Sequence, residues 1–216
     1  MFQSPELFIL RIPAILIALT IHEFAHGFVA YVRGDTTARD AGRLSLNPLA
    51  HLDLFGTIMM LFGPFGWAKP VPVDGRMLKN PRRDMILVSL AGPVSNVLCA
   101  IVVGITFRLL ISNHILTGSN QYIIIFFQLL FMLNLGLSFF NLIPIPPLDG
   151  SNVLMGLLPP KHVYTYMNIM RYVPQLLLIL IVAEWMFKIP VFSTIFEPLW
   201  KPYYAFFSTI ILGGMF

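Results

Sequence analysis

Two histidines four residues apart, His22 and His26, with Glu23 directly after the first, interrupt a run that is otherwise apolar. On a helix, positions i and i+4 share a face, so both imidazoles can reach one ion. Two such imidazoles beside a carboxylate able to take a proton from water form the donor set of a zinc-dependent hydrolase, with Glu23 as general base. In a chain of 216 residues with five histidines, chance supplies this pattern only about 0.002 times. Ionisable groups inside an apolar span cost several kcal/mol and persist chiefly where they pair, coordinate or line a cavity. The alternative is that the three hydrogen-bond neighbouring helices without a metal.

A catalytic zinc site has three protein ligands and an open position for water. His51, Asp53, His114, His162, Asp149 and Glu184 are the available third ligands. His114 and His162 fall in polar connections and are expected to face solvent. Asp149 has the strongest physical argument. It closes the run Asn141-Leu-Ile-Pro-Ile-Pro-Pro-Leu-Asp149, where three prolines remove donors and break the helix. Broken backbone at membrane depth is tolerated only beside a cavity or in packed protein, which puts Asp149 near the depth of the histidines. Its competing role is to cap a helix starting near Ser151. His51 and Asp53 divide evenly between capping or interfacial residues and supports of the metal ligands.

The elements that must position these residues are membrane helices. The chain is 57% hydrophobic and 11% charged, where a soluble domain carries about 25% charged residues. Apolar segments near 7–32, 85–111, 121–143 and 172–187 approach or exceed the roughly 20 residues of a helical span, and a shorter one lies near 199–215. The stretch 54–67 is apolar but short and rich in Gly and Pro, and reads as a re-entrant or interfacial piece. The fold class is thus an α-helical polytopic membrane protein of five to six transmembrane helices with a short re-entrant segment. Small membrane-associated β-strands are expected at 36–46 and 68–77, the latter with prolines alternating as at a sheet edge. No polar block is large enough to form a separate soluble domain, so residues 1–216 read as one membrane domain.

Eight of the fourteen basic residues lie in 33–84, which marks that connection as cytoplasmic, whereas 112–121 carries none. Counting from a helix end near residue 33, His26 and His22 stand roughly 10 and 16 Å into the membrane, in its cytoplasmic half. The N-terminus lacks a basic region and a small-residue cleavage site, so the first span is expected to be retained. A lone Cys99 excludes a disulfide framework or a cysteine zinc site. The net charge of +4 fits loop orientation, and no nucleic-acid partner is expected.

Together, HEFAH (22–26), GRLSLNPLAHLDLFGT (42–57), GWAKPVPVD (66–74), AGPVSN (91–96) and FNLIPIPPLDG (140–150) resemble the site-2 protease family of intramembrane metalloproteases, in its compact prokaryotic form without a PDZ domain. The resemblance implies one zinc ion per chain held by His22, His26 and Asp149, with Glu23 activating water. It further implies a contact of Asn141 with substrate or oxyanion, for which a hydrogen bond to a neighbouring helix is the equal alternative. AGPVSN suggests close packing through Ala91 and Gly92, with Asn96 bridging helices. The expected function is cleavage of membrane-tethered substrates in or near their transmembrane segments, with strand addition at 68–77 holding the unwound substrate. The expected setting is a prokaryotic cell membrane, with a membrane-spanning substrate and regulatory membrane proteins as partners. The competing functions are a membrane metal transporter and a catalytically silent scaffold.

Overall fold

A computed structural model describes residues 5–62, 66–188 and 190–213. Its helices are α1 (Pro5–Val32), α2 (Thr37–Asp40), α3 (Leu54–Phe62), α4 (Pro81–Ser112), α5 (Gln121–Asn141), α6 (Asp149–Leu157), α7 (Pro160–Met170), α8 (Val173–Phe187) and α9 (Val191–Leu212). Helices α1, α4 and α5 pack on one another, α6 lies along α4, and α9 closes over α4 and α5. Phe107, Phe131, Leu135 and Ala100 form the main apolar core, with Tyr203 and Phe207 of α9 against it.

Among the described residues, four segments are long and apolar enough to cross a bilayer: 6–32, 81–112, 118–141 and 160–187. Exposed apolar side chains line their outer faces, such as Val102, Ile105 and Leu109 on α4 and Leu176 and Ile179 on α8. In water this surface would be an aggregation hazard; in lipid it is the solvated face. The protein is an integral membrane protein. The expected fifth span, 199–215, falls on α9, whose Pro198 and Pro202 lie inside the helix; residues 214 and 215 are outside the described ones. The re-entrant stretch begins with α3, and the chain then returns so tightly that a Cβ on Gly56 would meet the Trp67 carbonyl. Residues 63–65 of that stretch are outside the described ones.

The expected β-strands do not form among the described residues. In 36–46 the buried Asp35 carboxylate accepts from the backbone N–H (2.9 Å) and the hydroxyl of Thr37, which starts the short helix α2. The 68–77 stretch is extended but has no partner strand, because its donors are spent elsewhere. Lys69 N–H bonds the His51 carbonyl, Val71 N–H bonds Glu23, and Asp74 N–H bonds Asp35. Pro70 and Pro72 have no N–H to offer. Two carboxylates, Glu23 within α1 and Asp35 just beyond it, thus replace the edge of a sheet.

Candidate metal centre

His22 and His26 sit on one face of α1, and Asp149 opens α6, one residue beyond the proline-rich loop that ends α5. Asp149 is the first residue of its helix and Leu148 the cap, so the carboxylate is not used for capping. It turns instead to α1. His22 Nε2 and His26 Nε2 are 3.0 Å apart and stand 3.1 and 3.3 Å from Asp149 Oδ2.

Each histidine is fixed by its other nitrogen. His26 Nδ1 lies 2.7 Å from the Val88 carbonyl of α4, which can only accept. His22 Nδ1 lies 2.6 Å from Asn96 Oδ1. The amide of Asn96 is oriented by its nitrogen, which donates to the Ala18 carbonyl and to Asn134 Oδ1, while Asn134 donates to the Leu130 carbonyl. Both Nδ1 atoms therefore carry a proton, and in the neutral imidazoles both Nε2 atoms present lone pairs. In that form two lone pairs and a carboxylate oxygen meet with no donor among them, an arrangement that repels itself unless a proton or a metal cation enters. Ligands at about 2.0–2.1 Å on a tetrahedron stand about 3.3 Å apart, close to the separations observed. The residues fit a zinc ion.

Gly92 of α4 makes the space. A Cβ there would lie 2.4 Å from His26 Nε2 and 2.6 Å from His22 Nε2. The AGPVSN stretch thus does more than pack helices: its glycine faces the ligand atoms and its Asn96 holds one of them. Asn134 and the Val88 carbonyl were not foreseen. A polar residue within the apolar run of α5 is the signal that could have found Asn134; a carbonyl carries no signal in residue type.

Glu23 does not join the cluster. Its Oε2 accepts from Val71 N–H at 2.9 Å, which ties it to the extended 68–74 segment. Asn141 donates to the Leu137 carbonyl of its own helix at 3.0 Å, a bond to neither a neighbouring helix nor the cluster. His51 is buried, with Nε2 on the Ser45 carbonyl and Nδ1 without a partner. Asp53 accepts from Gly56 N–H and so caps α3. The bonds of His51 and Asp53 organise the 45–57 connection instead of the ligands.

Comparison with known proteins agrees with the donor set. Residues 111–181 match the model of Peptidase family M50. The chain is 47% identical over 155 residues, 68% of each chain, to "Putative zinc metalloprotease YwhC" of Bacillus subtilis. It is 32% identical over 163 residues to "Putative zinc metalloprotease Rip2" of Mycolicibacterium smegmatis, covering 71% of this chain and 59% of that one. No solved structure matches. With zinc as the cofactor these relatives share in name and a His/His/Asp triangle at metal-ligand spacing, the chain belongs to peptidase family M50, the site-2 protease family of membrane metalloproteases.

Proposed function

We propose that this protein hydrolyses peptide bonds in or near the transmembrane segments of membrane-tethered proteins, with His22, His26 and Asp149 as zinc ligands and Glu23 as general base. The observation that carries this reading is the triangle of two Nε2 atoms on the first membrane-spanning helix and one carboxylate oxygen at the start of α6. When bound, zinc supplies Lewis acidity, lowering the pKa of water and polarising a carbonyl. Asn96 and the Val88 carbonyl hold the two imidazoles in the tautomer that ligates. Glu23 accepts a proton from the attacking water on a carboxylate oxygen and delivers it to the leaving amine nitrogen as the C–N bond breaks and a C–O bond forms. The Val71 N–H fixes the Glu23 carboxylate and leaves Oε1 for that proton.

The substrate span must unwind locally, since a helical amide is hydrogen-bonded and shielded. Strand addition at 68–77 is constrained by Pro70, Pro72 and the engaged N–H of Val71: along 70–72 this segment offers carbonyls but no free donor. A substrate strand there would have to donate.

The charge pattern of 33–84 supports a site in the cytoplasmic half of a prokaryotic cell membrane. Membrane-tethered proteins are the substrates, and regulatory membrane proteins set the timing.

Glu23→Gln, purified and given a membrane-spanning peptide, should keep one zinc per chain and lose cleavage. Cleavage at the parent rate with full zinc content would remove Glu23 as the base.

A further inference from the structure

The extended segment that reaches Glu23 is held at both ends. At its start Lys69 N–H donates to the His51 carbonyl at 2.9 Å, and Arg43 Nη2 donates to the Lys69 carbonyl at 2.8 Å in a solvent-exposed bond. At its finish Asp74 N–H donates to Asp35 Oδ2 at 2.7 Å. Between these anchors the Val71 N–H meets Glu23. The Val71 side chain is buried against α1 one turn beyond Glu23, where a Cβ on Gly27 would stand 3.1 Å from Val71 Cγ1.

Asp35 owes its place to the way α1 stops. Gly34 takes a left-handed φ of +109°, which side chains other than glycine rarely tolerate. Gly34 N–H then bonds the Tyr31 carbonyl and Asp35 N–H the Ala30 carbonyl, both at 3.0 Å. This paired ending fixes the residue after the glycine against the last turn. Asp35 is fully buried there, at 0% exposure. A buried carboxylate is costly unless its oxygens are bonded. Oδ1 accepts from the N–H and hydroxyl of Thr37, and Oδ2 is given to Asp74.

The link from Asp74 back to Val71 is short and stiff. Three residues of extended chain span about 10 Å, and Pro70 and Pro72 fix φ on either side of Val71. Where Asp35 holds Asp74, it therefore also sets where the Val71 N–H points. Of the two anchors the buried carboxylate is the stronger, because a hydrogen bond gains from ionic charge and from a low dielectric.

We propose that Asp35 is a positioning residue for peptide-bond hydrolysis: through residues 71–74 it holds the N–H that orients the Glu23 carboxylate. The inference rests on the peptidase reading and adds to it a residue that touches neither metal ligands nor substrate.

The test uses the purified full chain, a membrane-spanning peptide and zinc content on the same preparations. Asp35→Asn keeps the side-chain size and an acceptor for Thr37 but loses the charge and one acceptor oxygen. Its kcat should fall about tenfold or more, the scale of a hydrogen bond to a charged group, with KM unchanged and one zinc per chain. In the Val71→Pro background, where the N–H is already gone, Asp35→Asn should cost nothing further, since the two act in one chain. Thr37→Val, which removes only the hydroxyl donated to Asp35, should lower kcat in the same way to a smaller extent and serves if Asp35→Asn fails to fold. A parent kcat in Asp35→Asn and Thr37→Val, loss of zinc in step with activity, or losses that multiply with Val71→Pro would each overturn the positioning role. If Glu23→Gln abolishes cleavage in the same assay, the peptidase reading stands despite that result; a parent chain that cuts nothing overturns both.

Discussion

Gly92→Ala isolates the space around the ligand atoms. The added carbon would sit 2.4 Å from His26 Nε2 and 2.6 Å from His22 Nε2 and Cε1, whereas nonbonded heavy atoms rest near 3.5–4.0 Å. The two imidazoles must retreat by about 1 Å, against a tolerance of about 0.2 Å for metal–ligand distances. They cannot retreat freely, because each is tied through Nδ1, to Asn96 at 2.6 Å and to Val88 at 2.7 Å. Zinc affinity should fall by more than the roughly 10- to 100-fold typical of losing a supporting hydrogen bond, and proteolysis should fall with it. The helix should not suffer, since Ala is favoured over Gly in a helix interior by about 1 kcal/mol. The expected signature is a well-folded, metal-poor, inactive protein, read by elemental analysis, circular dichroism and peptide cleavage on one preparation. A Gly92→Ala protein holding one zinc per chain and cutting at the parent rate would refute the placement of Gly92 against the ligands.

Two further outcomes follow from the geometry. Asn96→Ala removes the acceptor of His22 Nδ1 and should weaken zinc binding roughly 10- to 100-fold; unchanged affinity in a chelator competition would contradict the tautomer assignment. Val71→Pro removes the N–H that holds Glu23, so zinc should stay at one per chain while kcat drops about tenfold or more, the scale of a hydrogen bond to a charged group; equal loss of zinc would show that Val71 supports the ligands instead.

How much of this was legible depended on the range over which each signal acts. The spacing of His22 and His26 is local and survives into α1 unchanged. Asp149 could be inferred because Pro144, Pro146 and Pro147 crowd into four residues and end the helix there, although that argument could not exclude a capping role, which the position of Leu148 as cap removes. Asn141 and Asp53 illustrate contacts that residue type does not announce: Asn141 donates to the Leu137 carbonyl of its own helix, and Asp53 accepts from the Gly56 amide of its own segment. The β-strands failed for a related reason. Alternating prolines and β-branched residues do make 68–74 extended, but a ladder needs a partner with free donors. The side chains of Glu23 in α1 and Asp35 just after it claim N–H groups that such a ladder would use. What sequence could not show were the contacts between spans, among them the Val88 carbonyl on His26 and the glycine face against both imidazoles.

The triangle is assembled from segments far apart along the chain. His22 and His26 enter with the first span, Asn96 and Gly92 with the second long helix, and Asp149 only after α5 has crossed and the proline loop has turned back. None of these pieces alone offers three convergent donors, so a partly inserted chain has no high-affinity place for the ion. On the proposed ligand set, zinc capture would report that the spans have met.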